Sequence, residues 1–178
     1  MRKTISVPEV ANDLTVRQYL EFLKIDGDEE FKLLSALRIF YGISLEEGRG
    51  MHIGDVAELA TIPLDLMNQE HELQRIVEYR GKEYGFVPNL MSMTFGEYVD
   101  LDTYLGDVNN LHKTLSVLYR PVVKRQGSVY EIADYTGSDD YSDFPLGAGI
   151  GALLFFYRLR SRYNGTSQTS LKNQKNRT

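Results

Sequence analysis

The chain has 178 residues, of which 42% are hydrophobic and 25% are charged, and its formal net charge at pH 7 is −5. This composition is that of an ordinary globular domain and excludes wholesale disorder and collagen-like repeats. The chain contains no cysteine, which excludes disulfide scaffolds, thiolate metal sites and cysteine nucleophiles together.

The net charge conceals an asymmetry along the chain. Residues 1–157 hold 14 basic and 25 acidic residues, a net charge of −11, whereas residues 158–178 hold six basic residues and no acid. The six are Arg158, Arg160, Arg162, Lys172, Lys175 and Arg177. Two interpretations stay open: a solvated segment that improves solubility, or a docking segment for an acidic partner or, weakly, for nucleic acid.

The first 42 residues are predicted to form a helical hairpin after a short strand. The β-branched run at 4–7 favours a strand. Asn12 or Asp13 can cap a helix that ends near Lys24, because short polar side chains accept hydrogen bonds from the first helical amides. A second amphipathic helix is predicted over residues 29–41.

The middle of the chain changes from helix to sheet. A helix is predicted over about residues 55–69, with Pro63 breaking or kinking it. Alternating patterns at 75–79 and 83–87 flank the turn residues 80–82, a spacing typical of a β-hairpin.

A capping box marks the next helix, since Glu97 stands three residues after Thr94. The segment that follows places three residues on a common helical side: Phe95, Tyr98 and either Leu101 or Asp102.

The last third predicts a helix over residues 107–118, a strand over 128–133, and an apolar helix within 145–157. The apolar helix is too short to span a membrane, and Gly147 and Gly151 permit a neighbouring helix or a partner chain to approach closely. No apolar run follows the basic residues near Met1, so no secretion signal is predicted.

These elements predict a mainly helical α+β domain over residues 1–163, with a small antiparallel sheet. Residues 164–178 lack the apolar surface needed for folding and are predicted to be disordered.

The common catalytic motifs are absent from the sequence. It has no P-loop, dinucleotide fingerprint or nucleophile elbow, and the three histidines do not share metal-ligand spacing: His52, His71 and His112. We therefore predict that the chain is not an enzyme and assign no cofactor, metal or catalytic residue.

Two acidic clusters offer alternative chemistry. Paired carboxylates among Glu97, Asp100 and Asp102 would suit a metal-dependent hydrolase, although capping and the helix dipole account for Glu97 more simply. The cluster Asp139, Asp140 and Asp143 lacks the ligand spacing of an EF-hand and is interpreted as a solvated loop.

Aromatic residues give the most informative pattern. The chain has 12 tyrosines and eight phenylalanines but no tryptophan, and tyrosine is enriched at protein interfaces. The candidate interface residues are Tyr98, Tyr104, Tyr119, Gly147, Gly151, Phe155 and Phe156.

Four segments carry a resemblance to a known group of proteins. TFGEYVDLD at 94–102, LHKTLSVLYRPV at 111–122, VYEIADY at 129–135 and FPLGAGIGALLFFYRL at 144–159 resemble small virion and tail-morphogenesis proteins of tailed bacteriophages. The group includes proteins of crAss-like and large myovirus-like phages. The resemblance covers about residues 75–160, and the acidic, helical character is similar to that of phage tail assembly chaperones.

The resemblance implies a non-enzymatic protein that acts through protein–protein contacts, in the virion or in the host cytoplasm during assembly. It implies tail or head proteins as partners, with homo-oligomerisation possible and no membrane contact. A virion component and a chaperone both fit, and a cargo or packaging protein that contacts nucleic acid through the basic segment is the alternative.

Overall fold

A computed structural model describes residues 4–137 and 139–159. It contains seven α-helices in the described residues: α1 (Val16–Leu23), α2 (Glu29–Tyr41), α3 (Leu45–Arg49), α4 (Ile53–Asn68), α5 (Phe95–Leu105), α6 (Leu111–Leu118) and α7 (146–159). Four strands accompany them: β1 (Ile76–Tyr79), β2 (Lys82–Phe86), β3 (Tyr119–Gln126) and β4 (Val129–Ile132). The predicted class, mainly helical α+β with a small antiparallel sheet, is confirmed. Over the described ranges, no helix has the combination of length and hydrophobicity that crossing a membrane requires.

The sheet is an antiparallel meander in the order β1-β2-β3-β4. The predicted hairpin of β1 and β2 is confirmed, and its two-residue turn consists of Arg80 and Gly81. Both turn residues have positive φ angles, 52° and 69°, as the turn type that matches strand twist requires. The segments α5 and α6 are inserted between β2 and β3.

Two local predictions near the N-terminus need correction. Residues 4–7 form no strand; Ile5 packs against the core, and the following Pro8 has no amide to donate to a ladder. The cap of α1 is Thr15, in a capping box with Gln18, rather than Asn12 or Asp13. Asp13 instead belongs to a short 3-10 turn.

The strand β3 was not predicted. The helix α6 passes directly into β3, and Pro121 pairs opposite Tyr84. The predicted helix over residues 107–118 begins as a 3-10 turn, Val108–Asn110, before α6. The polar residues ahead of Leu111 account for the later start, since Asp107 caps the 3-10 turn by accepting from the Asn109 amide.

Pro63 does not break α4, which is continuous through it. Proline lacks the amide that would bind the carbonyl of Leu59, four residues earlier. The hydroxyl of Tyr41 donates to that carbonyl oxygen at 2.7 Å. A side chain of α2 therefore satisfies the acceptor that Pro63 leaves open.

The helix α7 lies against the N-terminal part of the chain. A Cβ atom at Gly147 would stand 2.6 Å from Asn12 Oδ1, and one at Gly151 would stand 2.2 Å from the carbonyl oxygen of Glu72. The predicted burial of this helix is confirmed over its first two turns. Both glycines meet other segments of the same chain, and these are a turn and a loop rather than a helix.

The helices pack side by side in a fixed order. The helix α1 contacts both α2 and α6, α4 packs on the far side of α2, and α5 packs on α6. The helices α5 and α2 are therefore connected through α6 and α1.

Candidate interaction surface

The helix α5 is anchored at its first turn by the predicted capping box. Thr94 Oγ1 accepts a hydrogen bond from the amide of Glu97 at 3.3 Å. In return, the Glu97 carboxylate accepts from the Thr94 amide at 2.5 Å. The start of the helix is thus fixed by two reciprocal bonds.

The inner face of α5 is held by polar contacts to the sheet side. Glu97 Oε1 lies 2.6 Å from Arg120 Nη1, with 4% and 12% of the two side chains exposed. Asp100 accepts a hydrogen bond from the hydroxyl of Tyr135 at 2.7 Å, and Leu101 is buried in the core. These contacts turn the side of α5 that carries Glu97, Asp100 and Leu101 toward the protein.

Titration behaviour at this face follows from the contacts. Burial by itself would raise the pKa of Glu97, but the hydrogen bonds from Thr94 and the charge of Arg120 together lower it. Burial raises the pKa of Tyr135, and the hydrogen bond to Asp100 and its charge act in the same direction. Both carboxylates are therefore engaged within the protein.

The outer face of α5 is apolar and exposed. Phe95 is 82% exposed, Tyr98 59% and Val99 41%, and their spacing of three and four residues places them on one helical side. Met91, in the 3-10 turn just before α5, is 88% exposed. We call these four residues the α5 surface.

The prediction that Phe95 and Tyr98 share a side is confirmed, and the residue that joins them is the exposed Asp102. Leu101 points inward instead. The sequence reasoning missed Met91 and Val99. The exposure of Val99 was predictable from the sequence. Val99 follows Phe95 by one helical turn, and the charged Asp102 indicates that this side of the helix faces solvent.

The other candidate interface residues lie elsewhere. Tyr119 has no exposed surface, and its hydroxyl donates to the carbonyl of Gln74 at 2.6 Å; its prediction as an interface residue is wrong, because it fills the core. Gly147 and Gly151 are buried within the chain, so their predicted contact with a partner chain is also wrong. Tyr104 is half-buried, with the Lys113 ammonium 5.5 Å from its ring centre.

Phe155 and Phe156 are half-buried on α7. Their ring centres lie 5.7 and 6.1 Å from that of Phe86. Of the basic residues, Arg158 is exposed near the end of α7. The remaining five lie outside the described residues: Arg160, Arg162, Lys172, Lys175 and Arg177. The predicted disorder of residues 164–178 also falls outside them.

The described part of the chain holds no cluster of side chains that would support the alternative metal chemistry. No group of three or more His, Asp or Glu residues there is placed to hold a metal ion. Asp140 accepts from the amide of Ser142 at 2.9 Å, and Asp143 pairs with Arg17 at 3.0 Å. The loop acids are thus engaged separately.

Comparisons with known proteins give no relative: no family model, no curated protein and no solved structure matches the chain.

Proposed function

We propose that the chain is a non-enzymatic protein of tailed-phage assembly that binds a tail or head protein through the α5 surface. The observation that carries the proposal is the exposure of Phe95, Tyr98 and Val99 on one side of α5, together with that of Met91 in the turn just before the helix. The phage setting comes from the resemblance of four sequence segments.

The residue types of the α5 surface favour a protein partner. Methionine and aromatic residues are enriched in interface cores, and contiguous exposed apolar side chains mark interaction sites. Burying one such side chain completely contributes about 1.5–3 kcal/mol. A partner that covers Phe95, Tyr98 and the residues beside them with an apolar segment therefore gains several such contributions.

The anchoring of α5 supports the same proposal. The capping box, the Glu97–Arg120 pair and the Asp100–Tyr135 bond fix the helix before any partner binds. A preorganised surface loses less conformational entropy on binding than a flexible one. The acidic groups of α5 thus act as positioning residues for the apolar side.

The proposal is tested by a double substitution with a matched control. Phe95→Ser/Tyr98→Ser removes the two exposed rings, whereas Val123→Ser/Val129→Ser alters two valines of the β3–β4 hairpin that are 62% and 72% exposed. Each variant is co-expressed with the tail and head proteins of the phage that encodes it. We expect the α5 variant to lose affinity on the order of 100-fold for one of them, and the control to bind as the wild type does. Equal binding by both variants would refute the proposal.

Mass spectrometry of purified virions then distinguishes a virion component from an assembly chaperone. A virion component is abundant in the particle, whereas a chaperone is abundant in the infected cell and absent from the particle. Both forms use the same surface.

A further inference from the structure

A second apolar surface lies between α2 and α3. Phe31, Leu34 and Leu45 line a groove of about 820 Å³. Phe31 and Leu45 are 44% and 36% exposed. A neighbouring hollow of about 410 Å³ extends the groove past Met51 to Ile53, which is 81% exposed. We call the whole feature the α2–α3 groove.

The rim of the α2–α3 groove is acidic. Asp26, Asp28, Glu30 and Glu46 line it together with one cation, Arg49. Arg49 lies 3.4 Å from Glu30 and offsets that charge. The apolar floor is therefore bordered by an excess of negative charge, which attracts a cationic segment that also carries apolar side chains.

The chain itself contains a segment of this chemistry. We propose that the α2–α3 groove binds the chain's own basic segment, residues 160–178. That segment has five basic residues and no acid, and Leu171 stands directly before Lys172. Basic side chains would pair with the rim while Leu171 enters the apolar floor.

The length of the segment permits contact within one chain. The stretch from residue 160 to Leu171 has 12 residues. Fully extended it reaches about 40 Å, which matches the width of about 40 Å of a compact domain of this size. Tethering gives the segment an effective concentration in the millimolar range. Weak contacts with the groove are then sufficient for occupancy.

The absence of cysteine makes the test direct. A single Asn173→Cys substitution in the full chain carries a nitroxide spin label, and the broadening of backbone amide signals reports which residues the segment approaches. We expect broadening concentrated at Phe31, Leu45 and their neighbours. Its loss as salt rises from about 0.05 to 0.5 M is expected from screening.

Two variants separate specific docking from general attraction. Asp26→Lys/Glu46→Lys reverses the rim and should reduce the broadening several-fold, whereas Asp65→Lys/Glu78→Lys makes the same change of charge at exposed acids outside the groove and should preserve it. Leu171→Ser tests the apolar contribution and should also reduce it. Broadening that is absent, uniform over the surface, or equal in both charge variants would overturn the proposal.

A mixing experiment shows whether the bound segment belongs to the same chain or to a second copy. Isotope-labelled chains that lack the nitroxide are mixed with chains that carry the nitroxide but no isotope label. Docking within one chain predicts no groove broadening in the mixture. Groove broadening in the mixture would overturn docking within one chain and would show that the segment of a second copy binds.

Discussion

At the scale of single residues, the structure places hydrogen-bond donors where the backbone lacks them. The Leu59 carbonyl loses its helical partner to Pro63 and gains the hydroxyl of Tyr41. Burial raises the pKa of Tyr41 to about 12. Neither residue could be paired with the other from the sequence, because they belong to different helices.

This pairing predicts an energetic coupling. Tyr41→Phe should destabilise the protein by about 1–3 kcal/mol, because it leaves a partly buried acceptor without a donor. In a Pro63→Ala background an alanine amide can bind Leu59, so the same substitution should cost less. Urea unfolding of the four proteins measures the coupling. Equal costs in the two backgrounds would contradict this account.

The Glu97–Arg120 pair predicts a dependence of stability on pH. Since folding lowers the pKa of Glu97 below its ordinary 4.5, ionised Glu97 contributes stability above that pH. The contribution is lost as pH falls through the lower folded value. The stability difference between wild type and Glu97→Gln should therefore shrink as the pH falls below 4.5.

Urea unfolding at several pH values tests this prediction. Because the pair is buried, Glu97→Gln should cost about 3–5 kcal/mol at neutral pH. Asp102→Asn on the exposed side of α5 is the control and should change stability by no more than about 0.5 kcal/mol. If the stability difference between wild type and Glu97→Gln stays constant with pH, folding does not lower the pKa of Glu97.

At the scale of elements, close contact explains why α7 needs small residues. Gly151→Ala would place a methyl group 2.2 Å from a backbone oxygen, and we expect a loss of about 1–3 kcal/mol from overpacking. Gly54→Ala in α4 meets no atom within 4 Å and should instead stabilise by about 0.5–1 kcal/mol. Thermal melts should shift in opposite directions for the two variants. An unchanged midpoint for Gly151→Ala would argue against this packing.

The elements also show which signals the sequence carries. The capping box of Thr94 and the turn at Gly81 were predictable, because their chemistry is local. The strand β3 was not, because Tyr119 and Pro121 acquire strand geometry only by pairing with β2. For α5 the periodicity marked Phe95 and Tyr98 correctly as one side, but it could not say that this side is uncovered.

At the scale of the whole molecule, two apolar surfaces lie on helices that are not neighbours. The helix α5 is connected to α2 through α6 and α1. Distant sites without shared partners act additively. Phe95→Ser/Tyr98→Ser should therefore leave the broadening at the groove unchanged, which the spin-label experiment on that variant measures. A change at the groove would reveal coupling between the surfaces.

Crosslinking from the α5 surface tests the proposed contact with a tail or head protein. A photoreactive phenylalanine analogue replaces Tyr98 in one strain and Val129, on the β3–β4 hairpin, in another. After irradiation of phage-producing cells, mass spectrometry identifies the crosslinked proteins. The account predicts one dominant tail or head protein from position 98 and none from position 129. The same products from both positions, or none from position 98, would contradict it.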